Sequence, residues 1–291
     1  MKKTIAFAAG IIFAAAPFFA QTSYSESDLV WKDDFDGNSL NLDDWNYEYH
    51  EPGWVNNELQ EYVDSKENIY VKDGNLVIQA VQKKARGGKT SYTSGRINTK
   101  GKHDFKYGRI EARIKFPSGK GFLPAFWMMP TEENLYGLWP KCGEIDIAEV
   151  LGDRTKEIYG TLHYGEPHKE SQGKTAAQGK SFSDDWHIVA CEWEPGEIRF
   201  YADGKMYHKE NSWYTKRKGF GNEKICKQKK PCKTQSFRQS TLDKSVLNFR
   251  FPDVCFIVCR RDKENCIVRA PDWSICINST TCKLSFVHAV R

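Results

Sequence analysis

The sequence predicts an all-β domain of the sandwich type. Short alternating or β-branched runs at residues 75–80, 108–116 and 187–193 have the length and composition of strands. Pro195-Gly196 links two such runs, and Asp203-Gly204 carries the signal of a tight hairpin turn. No long amphipathic helix and no internal repeat is evident in the 291 residues, so one all-β domain is expected.

The first 20 residues predict a secretory signal peptide. Lys2 and Lys3 precede an uncharged stretch, residues 4–20, with cleavage expected after Ala20. A membrane anchor is the alternative, but the stretch is short and has no stop-transfer flank. No later stretch reaches the ~18 apolar residues of a spanning helix. We therefore expect a secreted or periplasmic protein, free of the membrane after cleavage, whose folded domain is residues 21–221.

Three carboxylates lie close together in the strand-like run 143–150. In a regular strand Glu144 and Asp146 point to one face and Glu149 to the other. A β-bulge near Ala148, which adds one residue, would bring all three acids to one face. Two carboxylates about 5–5.5 Å apart can hydrolyse a glycoside by double displacement, one as nucleophile and one as acid/base. A solvated acidic edge strand is the alternative.

Aromatic residues and further motifs surround these acids. Tryptophan rings stack on the apolar faces of sugars, although core packing explains most tryptophans. Taken with the E-x-D-x-x-E pattern of the acids, the chain resembles family 16 of the glycoside hydrolases, especially its laminarinase-type endo-β-1,3-glucanases. Besides the acids, the matching segments follow the family order: Trp31-Lys32-Asp33-Asp34-Phe35-Asp36-Gly37, Asn56-Asn57-Glu58-Leu59-Gln60, Tyr92-Thr93-Ser94-Gly95-Arg96-Ile97, Tyr107-Gly108-Arg109-Ile110-Glu111-Ala112-Arg113 and Gly160-Thr161-Leu162-His163.

The resemblance implies a fold and a mechanism. The fold would be a curved β-jelly-roll sandwich, like that of concanavalin A. Glu144 would be the nucleophile and Glu149 the acid/base, while Asp146 would hydrogen-bond or share a proton with a neighbouring acid. No cofactor and no metal ligand is required for this chemistry. Family members often carry a structural calcium ion, which the resemblance allows here, but part of that site comes from a final strand that we do not recognise in the sequence.

The resemblance also implies a set of residues that bind the substrate. Arg96 could instead pair with a structural carboxylate, and His163 could be an ordinary strand histidine. Trp54 is a weaker candidate, because Val55 stands where the family usually has glycine. The five residues at the matching cleft positions are Asn57, Arg96, Trp127, Trp139 and His163.

Leu123 and Cys142 are two further positions close to the acids in the sequence. Leu123 stands where many family members have tryptophan, a change that would alter one subsite and leave the chemistry intact. Cys142 has the strand parity of Glu144, and we interpret it as a small inert core residue rather than a reactive thiol.

The last seventy residues differ from the rest of the chain. Residues 222–291 hold 14 Lys+Arg against 6 Asp+Glu and seven of the nine cysteines, whereas eight of the nine tryptophans lie at or before Trp213. A basic segment can bind nucleic acid or anionic polysaccharide. Seven cysteines could form disulfides with one left over. Spacings such as that of Cys255 and Cys259 fit no zinc pattern.

We interpret this tail as read out of frame. Residues 236–242 stand where family members usually have a segment like Ala-Pro-Phe-Asp-Gln-Pro-Phe. Residues 236–241, back-translated with chosen codons and advanced by one base, encode Pro-Phe-Asp-Asn-Pro-Leu. The C-terminal strands of the sandwich would then be missing or replaced. A genuine, diverged or appended tail is the alternative.

Three functions are compatible with the sequence. The favoured one is a secreted, monomeric, retaining endo-β-1,3-glucanase, whose partner is a laminarin-like β-glucan and not nucleic acid. The second is hydrolysis of another polysaccharide, such as mixed-linkage glucan, agarose or carrageenan. The third is a non-catalytic β-glucan-binding protein or an inactive truncated product, against which the intact Glu144 and Glu149 argue.

Overall fold

The computed structural model describes residues 24–84, 87–132 and 136–214, and the backbone of three later strands. The predicted signal peptide, residues 1–20, and the segment used for the frame interpretation, residues 236–242, lie outside the described residues. The same holds for the domain boundary at residue 221.

The described residues form β-strands and one short 3-10 helix, Glu26–Asp28, which confirms the all-β prediction. In chain order the strands are β1 Leu29–Asp33, β2 Asn46–Tyr47, β3 Gln60–Tyr62, β4 Ile69–Lys72, β5 Asn75–Gln79, β6 Val81–Lys84, β7 Thr90–Ser94, β8 Arg96–Asn98, β9 Gly108–Lys115, β10 Phe122–Leu123, β11 Ala125–Met128, β12 Glu144–Glu149, β13 Glu157–Tyr164, β14 Lys169–Ala176, β15 His187–Glu194, β16 Glu197–Ala202, β17 Lys205–Glu210, β18 Val254–Cys255, β19 Val258–Cys259 and β20 Thr281–Val290. No helix among the described residues is long and apolar enough to cross a bilayer.

The largest sheet has the strand order β17-β16-β15-β9-β20-β5-β4, and β1 also pairs with β20. Its strands are joined by tight turns where the sequence supplies residues that tolerate positive φ. At the predicted turn Asp203 and Gly204 have φ of 49° and 74° and join β16 to β17. Asp73 and Gly74, with φ of 53° and 66°, join β4 to β5 in the same way. Both are Asp-Gly pairs, the sequence that a type I′ turn favours.

A second sheet, β11-β12-β13-β14, packs against the first. Their facing side chains form one apolar core, to which β12 contributes Ile145 and Ile147 and β16 contributes Phe200. The two sheets approach closely because Gly160 of β13 has no side chain. A Cβ atom there would lie 2.5 Å from the hydroxyl of Tyr207 and 2.8 Å from the ring of Phe200.

The tail supplies one strand that the sequence reasoning missed. β20 lies in the middle of the large sheet, antiparallel to β9 on one side and to β5 and β1 on the other. Cys282, Leu284 and Phe286 alternate with polar or small residues, so a period-two signal was present. A strand at this position leaves β9 and β5 without an unpaired edge. Of the two outcomes expected for the late strands, missing or replaced, residues 281–290 correspond to a replaced strand at this position.

Candidate active site

Strand β12, which carries the three acids, has a bulge at the predicted place. On one side Ala148 pairs with Phe126 while Asp146 pairs with Trp127, so Ile147 is the extra residue. On the other side the register against β13 also shifts between Asp146 and Glu149. The bulge reverses the parity of Glu149, which then shares a face with Glu144 and Asp146.

Glu144 lies at the start of β12 and is held by a tryptophan. The indole Nε1 of Trp139 donates a hydrogen bond to Glu144 Oε2. Trp139 is 48% exposed, so part of its ring is accessible to a ligand. Cys142, two residues before Glu144, is buried in the apolar core, in agreement with its interpretation as a small core residue.

Asp146 lies between Glu144 and the histidine of β13. It is only 4% exposed, and its Oδ2 atom is 3.3 Å from Nε2 of His163. Burial, together with the charges of Glu144 and Glu170, raises the pKa of Asp146 well above its ordinary value. In its protonated form Asp146 can donate a hydrogen bond to a neighbouring acid.

Glu149 lies at the far end of the same face. Burial, followed by the charges of Asp146 and Glu144, raises the pKa of Glu149 to about 8. The Thr161 hydroxyl donates a 3.4 Å hydrogen bond to Glu149 Oε2. A carboxyl with this pKa is largely protonated at neutral pH, which is the state that a general acid needs.

Tyr207 supports the bulge from behind. Its hydroxyl lies 3.5 Å from the backbone carbonyl of Ile147, the extra residue, and donates to it. Burial and the charge of Glu149 raise the pKa of Tyr207, which keeps the phenol protonated. The sequence reasoning did not single out Tyr207, because nothing in its local pattern distinguishes it from a core tyrosine.

Three ligand atoms of the site could also hold a metal ion. One atom each from Glu144, Asp146 and His163 all lie within 4.8 Å of one another. Hydrolysis by two carboxylates does not need a metal at this position. The structural calcium ion stays a prediction, since the side chains of β20 lie outside the described residues.

A second group of side chains adjoins the acids through Trp127, the register partner of Asp146. The Arg96 guanidinium lies 4.6 Å from the centre of the Trp127 ring and 5.2 Å from that of Trp54. Arg96 also forms an ion pair with Glu48. The alternative of a carboxylate partner for Arg96 is therefore confirmed, and it operates together with the aromatic contacts.

Glu48 is the charged centre of this group. Burial acts to raise its pKa, but the charge of Arg96 and the hydrogen bonds from Asn98, Arg96 and His50 outweigh it, so the pKa is lowered. His50 stacks on Trp54, with ring centres 3.4 Å apart. Glu48 was missed because its nearest sequence neighbours carry no recognisable motif.

The structure brings four of the five predicted binding residues into these two groups. Trp139 and His163 lie beside the acids, with ring centres 6.0 Å apart, and Arg96 and Trp127 form the neighbouring group. Asn57 lies apart, exposed in the loop before β3 with a φ of 55°. That loop also carries Trp54, so the weaker candidate contacts Arg96 directly. The binding roles of all five residues remain predictions.

The chain is similar in sequence to known proteins of one family. The family model for glycosyl hydrolases family 16 matches residues 56–232. The chain is 38% identical over 206 residues to glucan endo-1,3-beta-glucosidase A1 of Niallia circulans, a match that covers 64% of this chain and 30% of that protein. It is 39% identical over 191 residues to a glucan endo-1,3-beta-glucosidase of Cryptopygus antarcticus, a match that covers 63% of this chain and 69% of that protein.

The fold is shared with a solved enzyme. The laminarinase of Rhodothermus marinus superposes with a TM-score of 0.68 at 29% identity, over 91% of this chain and 97% of that one. The β-jelly-roll sandwich that the resemblance implied is thereby confirmed. The chain spans only 30% of the length of the Niallia protein.

Proposed function

The chain belongs to family 16 of the glycosyl hydrolases, and we propose that it cleaves internal β-1,3-glucosidic bonds of laminarin-like β-glucans with retention of configuration. The bulge in β12 carries this proposal, because it places Glu144, Asp146 and Glu149 on one face. Retaining hydrolysis needs an ionised carboxylate and a protonated one side by side.

Glu149 is the proposed acid/base. At neutral pH its raised pKa keeps the carboxyl protonated, so it can protonate the leaving glycosidic oxygen. In the second step the resulting carboxylate takes a proton from water, which attacks the glycosyl-enzyme. The hydroxyl of Thr161 orients the carboxyl through the hydrogen bond to Oε2.

Glu144 is the proposed nucleophile. The Trp139 indole donates to Glu144 Oε2 and fixes the direction of the carboxylate, which would attack the anomeric carbon. Burial and the charge of Glu144 raise the pKa of Asp146, and in its protonated form Asp146 can donate to Glu144 as the charge of Glu144 changes during the reaction.

The substrate is proposed to bind along the two groups of aromatic rings. The exposed ring of Trp139 next to Glu144, and Trp54 over Arg96, are suited to the apolar faces of glucose units. Asn57 and Arg96 offer donors to sugar hydroxyls. The predicted signal peptide, residues 1–20, supports secretion, and we propose that the protein acts as a monomer without nucleic-acid partners.

One assay tests the function. Reducing ends released from laminarin, mixed-linkage glucan, agarose and carrageenan would be measured for the full chain and for Glu144→Gln. We expect the full chain to release reducing ends from laminarin and the Glu144→Gln variant to release none. Release from agarose or carrageenan in preference would favour the second candidate function. Binding of laminarin without release of reducing ends would favour the third candidate, a non-catalytic β-glucan-binding protein.

A further inference from the structure

Thr161 of β13 links the acid/base to a side chain of the next strand. Thr161 is fully buried, and its Oγ1 atom lies 3.4 Å from Oε2 of Glu149 and 3.0 Å from Nε2 of Gln172. Gln172 is the register partner of Thr161 on β14, so its side chain, which is exposed, lies on the same face of the sheet. The three side chains therefore form a row from the exposed Gln172 to the acid/base.

The direction of the hydrogen bonds in this row follows from what each group can donate. A hydroxyl has one proton to donate and can also accept, whereas an amide nitrogen only donates. Nε2 of Gln172 therefore donates to Oγ1 of Thr161, and the single hydroxyl proton of Thr161 is left for Oε2 of Glu149. If the amide were reversed, its oxygen would take that proton and Glu149 would lose its donor.

We propose that Gln172 is a positioning residue for the acid/base, because it fixes the Thr161 hydroxyl as a donor to Glu149. The proposal rests on the proposed function, in which Glu149 first gives up a proton and later takes one from water. A donor at Oε2 suits both steps. In the acid form Oε2 accepts as the carbonyl oxygen, which favours the carboxyl proton on Oε1, and in the base form Oε2 accepts as part of the carboxylate.

Lys174 provides a matched control on the same strand. It lies two residues beyond Gln172, on the same face of β14. Its Nζ atom forms an ion pair with Glu157, 2.9 Å away, and lies 5.8 Å from the centre of the Tyr159 ring. Lys174 therefore interacts with neighbours other than those of Gln172.

Two substitutions at Gln172 separate the loss of a donor from the gain of an acceptor. Gln172→Met keeps the length of the side chain and removes both polar groups, so the Thr161 hydroxyl is no longer fixed. Gln172→Glu replaces the donor by a carboxylate, which only accepts and competes with Glu149 for the Thr161 proton. Lys174→Gln changes the charge of the same face by the same single unit as Gln172→Glu.

The kinetic readout compares two aryl laminaribiosides that carry either phenol or 2,4-dinitrophenol as the leaving group. Departure of phenol needs a proton from the acid, whereas 2,4-dinitrophenolate leaves without one. On the phenyl substrate we expect kcat/KM to fall about fivefold for Gln172→Met and about twentyfold for Gln172→Glu, a small part of the roughly 10²–10⁴-fold that a general acid contributes. On the dinitrophenyl substrate both variants should match the parent chain, and Lys174→Gln should match it on both substrates.

Equal falls on the two substrates would show that Gln172 supports the fold or contacts the sugar, and would overturn the proposal. Thr161→Val tests whether Gln172 acts through the hydroxyl. In the Thr161→Val background, Gln172→Met should lower kcat/KM on the phenyl substrate no further. Losses that simply add would contradict the proposed row.

Neutron diffraction from deuterium-exchanged crystals gives a readout that does not depend on catalysis. In the parent chain the Thr161 deuteron should point to Oε2 of Glu149, and in Gln172→Glu it should point to the new carboxylate. A parent deuteron that points to Gln172 would overturn the proposal even if the variants lost activity. If the parent chain cleaves neither glucan nor aryl laminaribioside, the proposed function fails, and the position of this deuteron still decides whether Gln172 fixes Thr161.

Discussion

Replacing Glu149 by glutamine should make the protein inactive and, at alkaline pH, more stable. The pKa of this carboxyl is raised from 4.5 to about 8. Between those values the folded protein keeps a proton that the unfolded chain releases. Below pH 4.5 Glu149 therefore does not reduce the free energy of unfolding. As the pH rises from 4.5 toward 8, the free energy of unfolding falls by about 1.4 kcal/mol per pH unit.

Above pH 8 the total loss in the free energy of unfolding is at most about 5 kcal/mol. This figure follows from about 1.4 kcal/mol for each pH unit between 4.5 and about 8. Glutamine has the same shape and no charge, so Glu149→Gln should escape that loss. The variant and the parent chain should have similar free energies of unfolding at pH 5, and the variant should be more stable at pH 9.

Urea denaturation from pH 5 to pH 9 measures this difference. Glu157→Gln is the control, because hydrogen bonds from Lys174 and Tyr159 lower the pKa of Glu157 and give it no alkaline cost. If the parent and Glu149→Gln chains differ by a constant amount over the whole range, Glu149 is not a proton-holding carboxyl, and its proposed role as the acid is refuted.

Four other changes test separate parts of the site and the fold. Glu149→Ala should be rescued in part by a substrate with a good leaving group and further by azide, which would yield a β-glycosyl azide; an α-azide would contradict retention. Trp139→Phe removes the hydrogen bond to Glu144 and should lower kcat/KM on laminarin by about tenfold or more; an unchanged value would show that the indole N–H is dispensable. Arg96→Met should lower the free energy of unfolding by about 3–5 kcal/mol, because Glu48 is left buried without its ion-pair partner, and a loss no larger than that of Arg113→Met in urea denaturation would contradict this. If the tail is read out of frame, restoring one base between codons 222 and 236 should give a more soluble protein with a sharper cooperative melt than the chain as written; if the chain as written melts as sharply as the restored one and loses the melt on deletion of residues 281–291, the out-of-frame interpretation is wrong.

The shared face of the three acids was predictable because it follows from their spacing. Acids at Glu144, Asp146 and Glu149 can share a face only if a bulge intervenes, and the structure has that bulge at Ile147. The hairpin at Asp203-Gly204 was predictable for the same reason, since positive φ at both positions restricts which residues fit.

The long-range contacts were not predictable in this way. Glu48 meets Arg96, and Tyr207 reaches the carbonyl of Ile147, only because distant strands are brought together. The raised pKa of Glu149 depends on burial and on the charges of Asp146 and Glu144, and spacing alone does not reveal that burial. The central position of residues 281–290 was not predictable, because a short alternating pattern does not reveal which strands it pairs with.

The central claim is that Glu144 and Glu149 act as a retaining pair on β-1,3-glucan. The most direct test is a ¹H NMR time course of the anomeric protons released from a laminari-oligosaccharide, with Glu144→Gln as the control for background hydrolysis. The account predicts that the β-anomer appears first and that the α-anomer grows only as mutarotation proceeds. Initial release of the α-anomer, or equal release by Glu144→Gln, would contradict it.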